Sequence, residues 1–295
     1  MAYTIVIPYR DRAAYLPDTL ASLPPDAAII LVDNGSTDDS ATLCHDFAAS
    51  RPNVRCISHP SGGAAAARTA GLAAVETEWV CFFDSDDIFS APTPFFQWPG
   101  IMSYNTLDVI CLPTQMERST PDGTRLIPRD FRPTASPADQ ILISMLATQT
   151  MLLRTAFLRS IGGWNETLPV WNDWELGLRV LLASPRLLWA DTTHAYHRIR
   201  LHADSLTGSR FSERAAERFL ALSVAEADIA SSSQKDKDQL SLALDLRRGI
   251  FCGHLLREGL SLSPADKPRT LRARLLMHYV RLGLRGAWRI ARRMC

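Results

Sequence analysis

The first ninety residues repeat one pattern four times: a short apolar segment followed by a polar or helix-forming stretch. Within each segment the apolar residues are continuous, which is typical of strands buried on both faces of a parallel sheet. The segments lie at residues 3–7, 28–32, 54–57 and 79–83, and the helices predicted between them at 13–23, 37–49 and 64–75. Ser36 or Thr37 is the expected N-cap of the second helix. The alternation predicts right-handed βαβ crossovers and an α/β fold with a doubly wound, mostly parallel sheet.

The remainder of the chain predicts a loop and then mostly helices. Residues 112–138 are rich in Pro, Arg, Asp and Thr and predict a long mobile loop or lid. A strand is expected at 150–153, and helices at 139–146, 155–161, 174–182, 211–230 and 236–260. We therefore divide the chain into residues 1–105, 106–210 and 211–295, the last part being a helical extension.

The formal net charge of +1 conceals an uneven distribution of charge. No acidic residue follows Asp266, whereas residues 267–295 hold nine basic side chains, so that residues 1–266 carry a net charge of −8. On a helical projection of this tail, Arg274, Arg281, Arg285 and Arg292 form one stripe. Aliphatic and aromatic side chains cover most of the remaining circumference. A basic helix with an apolar face suits an anionic membrane surface, but a helix packed on the body of the protein explains the same pattern.

Composition limits the other classes of protein. The six cysteines are scattered without a CxxC motif, which argues against a zinc site or disulfide scaffold and favours a reducing compartment. No apolar run approaches the ~20 residues of a membrane span, and the N-terminus lacks the basic region of a secretory signal. We expect a cytoplasmic protein, peripheral at the inner face of the membrane if the tail binds lipid. No motif supports binding of nucleic acid.

Three of the predicted strands end in polar clusters, at residues 8–12, 33–36 and 84–87. In open α/β sheets, ligands bind beyond the carboxyl ends of the strands, so we expect the site there. The sequence contains neither GxGxxG nor GxxxxGK[ST], which argues against a dinucleotide fold and against a P-loop enzyme.

Asp84 and Asp86 are the strongest candidates for metal chemistry. Two carboxylates separated by one residue repel each other unless a cation or a proton relieves them. A divalent ion that also binds a diphosphate would do so, because Mg²⁺ usually takes few protein carboxylates. A solvated turn, in which Asp and Ser are common, explains the same residues without any ligand.

Five segments together resemble family 2 glycosyltransferases. They are TIVIPYRDR, LVDNGSTDDS, GGAAAARTAGL, WVCFFDSDD and IGGWNETLPVWNDWELGLR, in the order and spacing of that family over about residues 3–207. The resemblance implies a GT-A fold and an inverting transfer from a nucleotide sugar, often a UDP-sugar, that uses Mn²⁺ or Mg²⁺. It further implies that residues 1–105 bind the nucleotide sugar and residues 106–210 the acceptor.

The resemblance also implies roles for single residues. The donor nucleotide would be bound by Pro8, Tyr9, Arg10, Arg12, Asp33, Asn34, Gly63, Arg68, Asp84 and Ser85. The metal would be held by Asp84, Asp86 and His202, with His197 as the alternative histidine. The acceptor would be bound by Gly163, Trp164, Trp171 and Asn172. Asp173 falls at the position of the general base of the family.

The chemistry of sugar transfer is consistent with these roles. A base must take the proton of the acceptor hydroxyl, and positive charge must stabilise the departing diphosphate. Asp173 lies between Trp171 and Trp174, whose rings suit a sugar face but are explained equally well as core residues. The chain departs from the family at Asn172, where the family has Glu, and at Asn34, where many members have Asp.

Three functions compete at this point. The leading interpretation is a metal-dependent inverting glycosyltransferase, of hexosyl or N-acetylhexosaminyl type, in bacterial cell-surface polysaccharide synthesis. Its acceptor would be a saccharide or a lipid-linked molecule. A sugar-phosphate nucleotidyltransferase uses a similar sheet, but it normally begins with a Gly-rich loop and a Lys where this chain has YRDR. A catalytically silent nucleotide-sugar-binding protein would explain the two Asn substitutions, although Asp173 and His202 are retained.

Overall fold

The computed structural model describes residues 2–90, 106–120, 123–129, 133–190, 195–202 and 210–295. The chain divides into two compact units. The first comprises Met1–Pro133, Ala147–Pro169 and Pro185–Ala203. The second comprises Thr134–Leu146, Val170–Ser184 and Asp204–Cys295.

The first unit is built on two sheets. The strands in its described part are β1 (Tyr3–Tyr9), β2 (Ala28–Asp33), β3 (Val54–Ser58), β4 (Trp79–Phe82), β5 (Ile88–Phe89), β6 (Val109–Cys111), β7 (Thr114–Thr120), β8 (Gly123–Pro128), β9 (Met151–Arg154), β10 (Leu187–Trp189) and β11 (His197–Leu201). The larger sheet has the order β10-β6-β9-β4-β1-β2-β3. Strand β9 is antiparallel to β4 and β6, and the other neighbouring pairs are parallel. The predicted α/β fold with a mostly parallel sheet is therefore confirmed.

Burial explains why the central strands are continuously apolar. All seven residues of β1 and all four of β4 are buried, so neither strand presents a face to water. The helices in the described part of this unit are α1 (Leu16–Ser22), α2 (Ser40–Ser50), α3 (Gly63–Ala73) and α5 (Thr155–Ser160). Helix α3 rests directly on β1, since a Cβ at Gly71 would lie 2.3 Å from Cγ1 of Val6.

The smaller sheet corrects the prediction of a loop over residues 112–138. Its order is β5-β11-β7-β8, and β7 and β8 form an antiparallel hairpin within the segment predicted as a loop. Most of β8 is exposed. A strand exposed at the edge of a sheet contains as many polar residues as a loop does, and composition alone could not distinguish the two.

The predicted N-cap of α2 was also wrong, because the helix begins later, at Ser40. The hydroxyl of Ser36 donates to Oδ1 of Asp33 at 2.6 Å, and the main-chain N–H of Thr37 donates to the carboxylate of Asp11 at 2.7 Å. These polar residues organise the loop after β2 and do not cap the helix.

The second unit is helical in its described part. Its helices are α4 (Pro137–Ile143), α6 (Asn172–Leu182), α7 (Ala215–Ser231), α8 (Lys237–Arg257), α9 (Leu271–Arg281) and α10 (Ala287–Met294). The tail is thus two helices, and the prediction of a single helical stripe of arginines was wrong. Gly283 and Gly286 have φ of +78° and +83°, which only glycine adopts readily, and they end the first helix and begin the second. No helix in the described ranges is both long and apolar enough to cross a membrane.

Helix α9 packs closely against α8. A Cβ at Gly249 would lie 2.4 Å from the carbonyl oxygen of Ala273, and one at Gly253 would lie 2.6 Å from that of Met277. The two glycines allow the helix backbones to approach each other. The first helix of the tail is therefore packed on its own unit.

Candidate functional site

The polar clusters after β1, β2 and β4 meet at one edge of the larger sheet. Strand β1 lies between β2 and β4 and is parallel to both, which brings their carboxyl ends together. The main-chain N–H of Asn34 donates to the carbonyl of Tyr9 at 2.9 Å. Nε of Arg12 lies 3.6 Å from Oδ2 of Asp86. The loop after β1 therefore contacts both neighbouring loops.

Asp84, just beyond the end of β4, is neutralised by an arginine from α3. Nη2 of Arg68 donates to Oδ1 of Asp84 at 2.7 Å, and Gln149 donates to the other carboxylate oxygen. Arg68 is buried and its guanidinium lies 4.6 Å from the ring centroid of Trp164. Arg68, expected at the donor nucleotide, thus pairs with a carboxylate of the protein itself, which also relieves part of the repulsion at this strand end.

Asp86 contacts a histidine that directly follows β11 of the smaller sheet. Nε2 of His202 lies 2.9 Å from Oδ2 of Asp86, and its ring stacks on Tyr15 with centroids 4.5 Å apart. The alternative histidine, His197, is completely buried on β11. Of the two histidines, His202 is the one that lies beside the carboxylate. The residues that follow it, 203–207, fall outside the described residues.

Three further residues complete the carboxylate cluster, and sequence reasoning gave none of them a role. Asp87 is buried, and desolvation together with the charges of Asp84 and Asp86 raises its pKa well above the ordinary value. Gln149 donates to Asp87 at 3.1 Å. Arg200 donates its main-chain N–H to Asp87 at 3.1 Å and its side-chain Nε–H to the carbonyl of Asp86. Asp87 could have been found from its place in the DSDD segment, whereas Gln149 and Arg200 carry no local signal.

The donor atoms at Asp86 and His202 suit a divalent cation. Their 2.9 Å separation is about that of two neighbouring ligands bound to one ion at ~2.1 Å. A carboxylate with an imidazole leaves several positions for phosphate oxygens and water, as Mg²⁺ and Mn²⁺ sites at phosphates usually do. Within the described part of the chain, no group of three His, Cys, Asp or Glu side chains is arranged to hold a metal.

The remaining residues expected at the donor occupy different environments at this edge. Arg10 is exposed, whereas the side chain of Tyr9 is in the core and leaves only its backbone for a ligand. Pro8 is buried at the end of β1. Ser85 is buried, and its carbonyl accepts a hydrogen bond from the hydroxyl of Thr19 at 3.1 Å.

Two loop positions at the same edge have defined geometry. Oδ1 of Asp33 accepts from the main-chain N–H and from the hydroxyl of Ser36, at 2.9 and 2.6 Å, which fixes the carboxylate at the end of β2. Asn34 is buried beside it. Gly63 begins α3 with φ of +76° and has no atom within 4 Å of the position of a Cβ, so the requirement for glycine here lies in the backbone conformation.

Of the residues expected at the acceptor, Gly163 and Trp164 belong to the first unit. Gly163 has φ of +64°, and a Cβ there would lie 3.1 Å from Leu72. Trp164 is 4% exposed, with its ring under Arg68 and against Phe82. A ring so covered acts in packing and in holding Arg68, and it offers little surface to a sugar.

Asp173, Asn172 and the other tryptophans lie at the start of α6 in the second unit. Trp171 has φ of +57°, and Oδ1 of Asp173 accepts from the main-chain N–H of Trp174 at 2.8 Å. Trp174 is 2% exposed and its indole N–H donates to carbonyl oxygens of α4. Asn172 is also buried, whereas Trp171 and Asp173 are partly exposed. Trp174 is thus a core residue, while Trp171 and Asp173 remain accessible to a ligand.

Comparison with known proteins finds a family whose model matches more than half of the chain. Residues 4–160 match the model of "Glycosyl transferase family 2". Pre-mycofactocin glycosyltransferase of Mycobacterium tuberculosis is 29% identical over 195 residues, which are 62% of this chain and 40% of that protein. The minor teichoic acid biosynthesis protein GgaA of Bacillus subtilis is 32% identical over 98 residues, which are 30% of this chain and 22% of that protein. The chain therefore spans less than half the length of these relatives.

A solved structure agrees over the whole length. S. aureus TarS 1-349, crystallised in complex with UDP-GlcNAc, matches with a TM-score of 0.68 and 17% identity, covering 99% of this chain and 90% of that one. At this identity the likeness concerns the fold, and the GT-A fold expected from the sequence is confirmed.

Proposed function

The chain belongs to glycosyl transferase family 2, and on this premise we propose that it transfers a sugar with inversion from a nucleotide sugar to an acceptor hydroxyl. The observation that carries the proposal is the cluster of Asp84, Asp86 and Asp87 at the end of β4, with His202, Arg12 and Arg68 around it. Carboxylates and cationic groups at this edge of an open sheet suit the binding of a nucleoside diphosphate through a divalent ion.

We propose a UDP-linked donor. The structural likeness to TarS, which was crystallised with UDP-GlcNAc, supports this choice of donor. Asp33, fixed by Ser36 at the end of β2, would hold the base or the ribose. Exposed Arg10 and partly exposed Arg12 supply positive charge on the same side.

Asp86 and His202 would hold Mn²⁺ or Mg²⁺. A bound metal supplies positive charge that stabilises the departing diphosphate. Asp84, the third expected ligand, already forms an ion pair with Arg68, so we propose that Asp86 and His202 are the main ligands of the metal.

Asp173 would be the general base, which takes the proton of the acceptor hydroxyl as that oxygen attacks the anomeric carbon. The carboxylate is fixed by the N–H of Trp174 and remains partly exposed. The acceptor would be a saccharide or a lipid-linked molecule of a bacterial cell-surface polysaccharide, and the similarity to a teichoic acid biosynthesis protein supports this class.

The two helices of the tail would bind an anionic membrane. Five large apolar side chains are exposed there although α9 is packed on α8: Leu271, Leu275, Leu282, Leu284 and Trp288. Exposed arginines lie among them at positions 281, 285 and 289. A partly apolar, basic surface of this kind favours the headgroup region of an anionic bilayer.

Donor binding and turnover test the proposal together. Wild-type protein should be stabilised against thermal unfolding by UDP-GlcNAc, UDP-glucose or UDP-galactose in the presence of Mn²⁺, and it should release UDP. Asp86→Asn should lose the metal-dependent part of the stabilisation, whereas Asp46→Asn, an exposed carboxylate on α2, should retain it. Pyrophosphate formation from a sugar phosphate and UTP would instead identify a nucleotidyltransferase, and donor binding without turnover a silent binding protein.

A further inference from the structure

A buried arginine of the C-terminal extension contacts two tryptophans at the start of α6. The guanidinium carbon of Arg247, on α8, lies 4.4 Å from the ring centroid of Trp171 and 4.3 Å from that of Trp174. Its Nη1 donates to the carbonyl of Ile141 at 2.7 Å. Its Nε is buried and has no hydrogen-bond partner in the described part of the chain. The guanidinium therefore makes cation–π contacts with both rings.

Burial of this charge is expensive, and a neighbouring carboxylate offsets part of the cost. Arg247 is 6% exposed, and desolvation lowers its pKa to about 9, while the negative charge of Asp173 acts in the opposite direction. The adjacent Arg248 is equally buried, at 7%, but its Nη2 lies 3.6 Å from a carboxylate oxygen of Glu226 on α7. A buried cation that contacts two aromatic rings and interacts electrostatically with a partly exposed carboxylate calls for a role beyond packing.

The backbone at Trp171 supplies an independent observation. A left-handed φ of +57° is unfavourable for a large side chain and persists only where the surroundings enforce it. The ring of Trp171 is held by Arg247 and, on α8 as well, by Phe251 at a centroid separation of 5.5 Å. Arg218 of α7 lies 5.9 Å from the same ring. Helices α7 and α8 thus contact the turn that leads into Asp173.

We propose that Arg247 is a positioning residue, which by contacting the rings of both Trp171 and Trp174 holds the turn at the start of α6 and so fixes the carboxylate of Asp173. This inference rests on the proposed function of Asp173 as the base. It assigns a task to the helical extension, since α8 would support the residue that acts on the acceptor. Loss of Arg247 should then impair the chemical step and leave donor binding intact.

Three variants separate this role from a general loss of structure. Arg247→Met removes the charge and the planar group, Arg247→Lys keeps the charge, and Arg248→Met removes an equally buried charge that does not stack on the tryptophans. With UDP-GlcNAc, UDP-glucose or UDP-galactose and Mn²⁺, Arg247→Met should lower kcat for UDP release by about 10- to 100-fold, the effect of a misplaced catalytic group. The KM for the donor should stay within about twofold, Arg247→Lys should recover part of kcat, and Arg248→Met should stay near wild type.

A second measurement does not depend on turnover. The rings of Trp171 and Trp174 are 5.6 Å apart, so their relative orientation contributes to the near-ultraviolet circular dichroism. Arg247→Met should change this signal and Arg248→Met should not, at equal far-ultraviolet helicity. If Arg247→Met does not fold, Arg247→Lys carries the comparison.

The outcomes are distinguishable. An unchanged tryptophan signal in Arg247→Met, an equal loss of kcat in Arg248→Met, or a KM that rises in proportion would overturn the positioning role. Wild-type protein that releases no UDP from any of the donors would contradict the proposed function, while the tryptophan signal would still decide whether Arg247 holds the turn.

Discussion

At the scale of the residue, His197 couples stability to pH. It is completely buried on β11, with the rings of Phe83 and Phe89 edge-on at 4.7 and 5.6 Å, and burial lowers its pKa to about 4. In the unfolded chain a histidine titrates near 6.5. Between these values the unfolded chain binds a proton that the folded chain excludes. The free energy of unfolding contributed by His197 is therefore complete above about pH 6.5 and declines as the pH falls towards 4.

Urea unfolding at pH 7 and pH 5 measures this contribution. Wild-type protein should lose about 2 kcal/mol more than His197→Phe between the two values, from a shift of ~1.5 pH units at 1.36 kcal/mol each. His45→Gln, at an exposed position on α2, should behave as wild type does. Equal pH dependence in wild type and His197→Phe would show that folding does not lower the pKa of His197.

Individual site residues were predictable only where a local pattern carries them. Asp84, Asp86 and His202 follow from motifs, and the structure brings His202 to Asp86. Gln149 and Arg200 reach the same cluster from segments distant in sequence, because β9 pairs with β4 and β11 belongs to the neighbouring sheet. Their positions depend on strand pairing over more than sixty residues, which a single sequence does not encode locally.

At the scale of the element, the approach of α8 to α9 depends on a glycine. Alanine at an exposed helical position is favoured over glycine by about 1 kcal/mol, and propensity alone predicts that Gly249→Ala stabilises the protein. The added Cβ would, however, lie 2.4 Å from the carbonyl oxygen of Ala273, so the helices must separate. We expect Gly249→Ala to lower the free energy of unfolding by about 1–3 kcal/mol, as overpacking does.

Denaturant unfolding of matched variants tests whether Gly249→Ala lowers or raises the free energy of unfolding. Ser241→Ala, at an exposed position of α8, adds helix propensity without a new contact and should leave stability unchanged or slightly raised. A stabilised Gly249→Ala would mean that α9 does not pack against α8 as described.

The elements of the sheet were predictable and several of the others were not. Continuous apolar segments located β1 to β4 to within one or two residues, because strands buried on both faces have no other composition available. The β7–β8 hairpin and the break at Gly283 and Gly286 were missed. An exposed strand resembles a loop in composition, and a helical projection assumes continuity that two left-handed glycines interrupt.

At the scale of the whole molecule, most of the positive charge of residues 267–295 is not paired with carboxylates in the described part of the second unit. Of the nine basic residues after Asp266, two pair with carboxylates within the described part of the second unit: Arg269 with Glu226, and Arg292 with Asp139. Two charges of the tail are therefore paired with carboxylates, and others are exposed to solvent. Sequence alone could not decide between packing and membrane binding, and the structure shows that packing of α9 leaves an apolar, basic surface exposed.

Binding to vesicles distinguishes a surface that merely displays charge from one that binds lipid. Replacing Arg281, Arg285 and Arg289 by Gln removes three exposed charges, each worth about 1 kcal/mol at an anionic bilayer. We expect affinity for phosphatidylserine-containing vesicles to fall by about 100-fold in sedimentation assays, and binding to weaken as salt is raised. Vesicles of phosphatidylcholine alone should bind little of either protein.

The matched control removes three other exposed charges, by Arg55→Gln, Arg125→Gln and Lys235→Gln, and should keep most of the affinity because these residues lie outside the tail. Leu282→Ser with Leu284→Ser should weaken binding even at low salt. Both side chains are at least half exposed, at 76% and 50%, and would insert into the apolar part of the bilayer interface, which charged groups do not enter. Equal losses of affinity in the control and in the tail variant, with no effect of the two leucine substitutions, would mean that net charge alone drives the binding.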